Sequence, residues 1–135
     1  FMHCMNKSIK DWSAVLGEGK SKEGRAAEGL AAFVLQEEFK SLTCWAGATN
    51  KGVVYIYPEI YAGCDTFKNS IWDRKNDTKL YLRPRIASLA IGAEFSFSVK
   101  LVPFEATSET WKRRGRELAR EYDFEPSEES TRVLE

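Results

Sequence analysis

Seven residues, Lys79-Leu80-Tyr81-Leu82-Arg83-Pro84-Arg85, carry the clearest chemical pattern in the chain. On a β-strand alternate side chains share a face. Leu80 and Leu82 are therefore expected to enter a core, while Lys79, Tyr81, Arg83 and Arg85 stand together on the other side. Pro84 restricts Arg83 to an extended backbone, which holds the strand's shape to that point. Lys68, Arg74 and Lys75 lie upstream, and Asp65–Arg85 holds six basic residues against three acidic ones. Tyr55 and Tyr57 share a face of their own strand, opposite Val54 and Ile56. A sheet face that offers Tyr rings among Arg and Lys can stack exposed bases and hold the phosphates between them. Lys112–Arg120 adds a helical stretch with five basic residues and one acidic.

The leading expectation is a non-enzymatic binding protein for single-stranded DNA or RNA. Tyr55, Tyr57 and Tyr81 would stack bases, and Lys79, Arg83, Arg85, Arg113 and Arg116 would contact phosphates. A plainer outcome competes with it. If the last helix covers the same face, the tyrosines become core and the cations only reach its rim. The alternative function is a protein–protein interaction module, an inhibitor or adaptor, anchored by Trp72, Trp111 and arginines, residue types that dominate interface hot spots.

Other chemistry is harder to build from this chain. Its single histidine, His3, stands where a chain end usually frays, and it is expected to be dispensable. A histidine base, a catalytic triad and a histidine-rich metal site all need an imidazole held inside the fold. Cys4, Cys44 and Cys64 are odd in number and widely spaced, which suits buried free thiols better than disulfides or zinc. Ala14-Val15-Leu16-Gly17-Glu18-Gly19-Lys20-Ser21 ends like a phosphate-binding loop. It lacks the first glycine and follows no strand, so it reads as a turn between helices. Glu37 and Glu38 are adjacent and point to different sides of a helix. Asp73 and Asp77 are separated by Arg74 and Lys75, which oppose a cation. No catalytic set, metal or cofactor is therefore assigned.

These residues must be positioned by the elements around them. Ser8–Asp11 resembles a capping box, and Ile9, Trp12, Val15 and Leu16 then recur at helical spacing. A second helix is expected from Ser21 to near Lys40, with Leu30, Phe33 and Val34 in its apolar stripe. From Leu42 the period falls to two. Leu42–Ala48 and Val53–Tyr57 flank a hairpin turn at Thr49-Asn50-Lys51-Gly52, and Thr66–Trp72 and Lys79–Arg83 flank a polar connection. Leu89–Leu101 alternates most cleanly, which sends Phe95, Phe97, Val99 and Leu101 inward along with Trp12. Thr107 or Ser108 caps a last helix with Trp111, Gly115, Leu118 and Tyr122 in one stripe and Arg113, Arg116 and Arg120 in another.

The expected fold is α+β: an antiparallel meander of about five strands, with N-terminal helices and a C-terminal helix packed on it. Residues 1–124 read as one domain and 125–135 as a flexible acidic tail. The 20 basic and 20 acidic residues cancel, so only local clustering can select a partner. No run approaches the ~18 apolar residues of a membrane span, and no signal peptide is visible. A soluble intracellular protein, cytoplasmic or nuclear or organellar, is expected. Its partner would be single-stranded nucleic acid or another protein. An edge strand near Pro58 gives a homodimer a place to form.

Overall fold

Two antiparallel sheets and one helix make up the regular structure of the described residues. The computed structural model describes residues 2–5, 9–16, 19–25, 32–37, 39–57, 66–73, 78–85, 90–92 and 99–124. Side chains are described for these except at 2–5, 32–37, 39, 66–69, 73, 78 and 82–85. The strands are β1 (Met2–Met5), β2 (Asp11–Leu16), β3 (Ser21–Arg25), β4 (Ala32–Glu37), β5 (Phe39–Ala46), β6 (Lys51–Ile56), β7 (Thr66–Asp73), β8 (Thr78–Arg85) and β9 (Lys100–Glu105). They are followed by helix α1 (Trp111–Glu121). Sheet A has the order β1-β8-β7-β4, and sheet B the order β3-β2-β5-β6-β9.

In its coarse form the α+β reading holds: a five-stranded antiparallel sheet carries the C-terminal helix. The N-terminal helices do not exist. Residues 11–16 form β2, 21–25 form β3 and 32–37 form β4. The physical reason is visible at β2. Trp12, Ser13 and Ala14 are all buried, because both faces of this strand are covered. A strand covered on both faces loses its clean alternation and can imitate a short helical stripe. Gly24, which would weaken a helix, serves a strand here. A Cβ at Gly24 would come within 2.7 Å of the Trp12 ring, so glycine leaves the seat on which that ring lies. The phosphate-loop look-alike is part of the β2–β3 hairpin: Leu16 N–H donates to Lys20 O at 2.8 Å, and Gly19 has a φ of 74°. The strands also do not form one meander, since they divide between two sheets.

The β5–β6 hairpin turns at 47–50, two residues earlier than its composition suggests. Asn50, with a φ of 55°, takes the left-handed position expected of Gly52. Gly52 instead lies inside β6, opposite Trp45 on one side and Phe104 on the other. A Cβ there would stand 2.5 Å from the Phe104 ring.

The two faces of sheet B are buried differently. Trp12, Ala14, Leu42, Cys44, Tyr55 and Tyr57 share one core with Ile71 and Leu80 of sheet A. Val54 and Ile56 point the other way and pack with Leu118 of α1, joined by Val102 and Phe104 of β9. The layers are therefore sheet A, sheet B and α1. Trp111 stacks on Trp45 with ring centroids 5.6 Å apart and an interplanar angle of 2°. Trp45 Nε1 donates to Ala106 O at 3.2 Å, which ties the segment before α1 to the sheet.

Three other expectations meet a different outcome. Leu101 is 46% exposed rather than core, because β9 is an edge strand whose covered face carries Val102 and Phe104. Residues 2–5 are not frayed: β1 pairs with β8, with His3 opposite Leu80. The strand leading to Pro58 is β6, which is paired on both sides and offers no edge to a second copy. Leu30, Phe95 and Phe97 and the 125–135 tail lie outside the described residues, as do the side chains of Phe33 and Val34.

Candidate nucleic-acid interface

The β7–β8 hairpin places the site. Its register pairs Trp72 with Lys79, Ser70 with Tyr81, Lys68 with Arg83 and Thr66 with Arg85. The pleat sends these eight positions to one face, while Ile71 and Leu80, also a cross-strand pair, enter the core. The face opposite Ile71 and Leu80 is thus turned away from sheet B, and in this sense it is the outer face of sheet A. Its positions on β7 and β8 hold four cations, Lys68, Lys79, Arg83 and Arg85, together with Trp72 and Tyr81. No Asp or Glu occupies that face of either strand. Trp72, Lys79 and Tyr81 are each half-buried, and Trp72 and Tyr81 each have a further interaction within the protein. Between them lies Ser70, fully buried, whose Oγ has no hydrogen-bond partner.

The grouping of Lys79, Tyr81, Arg83 and Arg85 on one face of β8 is thus the grouping the ladder gives. The remaining residues are placed elsewhere. Tyr55 and Tyr57 are 0% and 3% exposed and belong to the core between the sheets, so neither offers a ring to a base. The cause is not the last helix, which lies on the opposite face of sheet B, but sheet A. Burial drives the Tyr57 hydroxyl well above its ordinary pKa, and the neighbouring Cys44 and Tyr55 add to the shift. Burial likewise raises that of Tyr55.

Arg113 and Arg116 are exposed on α1. They are separated from the outer face of sheet A by both sheets. Stacked sheets lie roughly 10 Å apart and a helix adds a layer of similar depth, so about 20 Å divides the two sets of cations. They cannot form one compact site. Arg113 and Arg114 also share Glu117 as an ion-pair partner, at 3.7 and 3.6 Å. Lys112 meets Glu23 of β3 at 2.7 Å. Trp111, an anchor in the protein-interaction reading, is 5% exposed and already stacked on Trp45.

Trp72, Ser70 and Lys68 are the members that reading β8 alone does not supply. The signal for them is the hairpin. Once Asp73 is paired with Thr78 across the polar connection, counting back along both strands sets Trp72 beside Lys79 and Lys68 beside Arg83.

Among the described residues no three His, Cys, Asp or Glu side chains come together as a metal-ligand group. No helix among them is long and apolar enough to cross a membrane. No protein-family model matches this chain, and neither the curated proteins nor the solved structures hold a match.

Proposed function

We propose that the protein is a non-enzymatic module that holds single-stranded nucleic acid along the outer face of β7 and β8. The observation that carries this reading is the register of Lys68 against Arg83. Like charges placed directly opposite in a ladder are destabilising, and a phosphate between them turns that repulsion into attraction. Lys79 and Arg85 extend the row on either side, and Trp72 and Tyr81 supply the rings on which bases stack. Stacking of this kind contributes about 1–3 kcal/mol per base. This surface is smaller than the one expected from the sequence. It drops Tyr55 and Tyr57, which are core, and it treats Arg113 and Arg116 as a separate surface.

The test is fluorescence anisotropy with a mixed-sequence single-stranded oligonucleotide at several salt concentrations. Phosphate contacts make log affinity fall linearly with log salt, with about 0.7 of slope per contact on a single strand. Lys68→Ala combined with Arg83→Ala should reduce the slope by about 1.4. Tyr81→Ala should weaken binding by about 1–3 kcal/mol and leave the slope alone. Absence of binding by the wild-type protein at low salt would remove this function and leave a protein partner as the reading to pursue.

A further inference from the structure

Ser70 is a short side chain in the middle of a face made of long ones. Lys68 and Trp72 precede and follow it along β7, with Tyr81 opposite it on β8 and Gln36 opposite it on β4. It is 0% exposed, and its Oγ has no hydrogen-bond partner. A buried hydroxyl left without a partner destabilises the fold that contains it, and buried polar atoms of this kind call for an explanation. Alanine in the same place would avoid the cost. We infer that Ser70 forms the floor of a subsite that reads the edge of one nucleobase, an inference that rests on the nucleic-acid reading above.

The chemistry follows from what surrounds the hydroxyl. A hydroxyl both donates and accepts, as does the hydrogen-bonding edge of a nucleobase. Tyr81, its half-buried cross-strand neighbour, is the ring on which the base that reaches Ser70 would stack. Trp72 flanks the base on the other side, and Lys79, opposite Trp72, meets the adjoining phosphate. A phosphate alone would need only the cations and would leave the Ser70 hydroxyl where it is. The subsite therefore distinguishes a strand that carries bases from a bare polyanion.

Two oligonucleotides of equal length and charge test this, one of mixed sequence and one with abasic residues throughout. Wild-type protein should bind the first more tightly. Ser70→Ala should lower affinity for it about two- to tenfold, the range set by one hydrogen bond, and should leave affinity for the abasic strand unchanged. Its melting temperature should equal or exceed that of wild type, because the substitution removes an orphaned group. If Ser70→Ala alters neither affinity, or lowers both by the same factor, the subsite is wrong. Equal binding of the two strands by wild type also overturns it, while leaving backbone binding intact. Failure of wild type to bind either strand at low salt removes the nucleic-acid reading itself.

Discussion

Cys44 has no exposed surface, and burial pushes its thiol from an ordinary 9.0 up to about 12. Tyr55 and Tyr57, in the same core, are raised for the same reason. All three groups stay protonated in the folded protein at a pH where the unfolded chain ionises. Their contribution to stability is therefore complete below about pH 9 and is lost as pH rises toward 12. Each group ionised only in the unfolded state costs about 1.4 kcal/mol per pH unit. Denaturant midpoints measured from pH 7 to 11 should be flat to about pH 9 and then fall. A flat profile through pH 11 would contradict the burial of these residues. Cys44 should also resist thiol reagents in the folded protein at neutral pH, since the thiolate is the reactive form; peptide mapping by mass spectrometry would read this directly.

Helix α1 sits on sheet B through Trp111, Gly115 and Leu118, which are buried while Arg113, Arg116 and Arg120 face solvent. Gly115 permits the close approach. A Cβ at this position would collide with Oγ1 and Cγ2 of Thr43, a residue only 3% exposed and fixed in the middle of β5. Alanine is the better helix former by about 1 kcal/mol, but overpacking costs about 1–3 kcal/mol. Gly115→Ala should therefore be neutral to destabilising by about 2 kcal/mol in chemical denaturation. Combined with Thr43→Ala it should cost less than the sum of the two single changes. Strict additivity would mean that the two residues do not meet. The exposed charges of α1 play a smaller part. The first turn has no acidic residue, so removing a cation there gains about as much from the dipole as it loses from the Arg113–Glu117 pair. Arg113→Ala should shift stability by less than about 0.5 kcal/mol. It should also leave the salt slope of oligonucleotide binding unchanged, because α1 lies beyond sheet B from the proposed surface. A slope reduced as much as by the Lys68/Arg83 pair would move the site to the helix.

For the molecule as a whole, the order of layers governs what each surface can do. Sheet A turns one face to the core it shares with sheet B, and the positions of its four cations on β7 and β8 fall on the other. The formal charge of the chain is zero, so this asymmetry comes from arrangement and not from excess. β1 completes sheet A by pairing with β8 along Met2↔Tyr81 to Met5↔Thr78. Deleting residues 1–5 would strip that strand and open the ladder edge of β8, a template for unwanted pairing. The shortened protein should unfold at lower denaturant and self-associate in sedimentation. Unchanged stability and a monomeric profile would restore the expectation that His3 and the strand around it are dispensable. Sheet B shields its own edges differently: Pro103 lies in edge strand β9, and all five residues of edge strand β3 are exposed, three of them charged.

Much of sheet A's hairpin and of α1 was legible in the residues, whereas the N-terminal third was not. In β8 a buried leucine alternates with half-exposed Lys79 and Tyr81, so a period of two stands clear. In α1 the Trp111–Gly115–Leu118 stripe keeps helical spacing against one sheet. β2 is covered on both sides, and β3 reads Ser-Lys-Glu-Gly-Arg with no apolar residue at all, so neither shows a strand's signature. Tyr55 and Tyr57 had the alternation of a half-exposed strand, yet each face of β6 met a different partner. Where a strand was recognisable, as in β6 and β8, the order of its residues dictated which positions share a face, because an unbulged pleat repeats every two residues. Which faces are covered followed from packing alone, because that depends on residues far apart in the chain, such as Tyr55 sharing a core with Ile71 and Leu80.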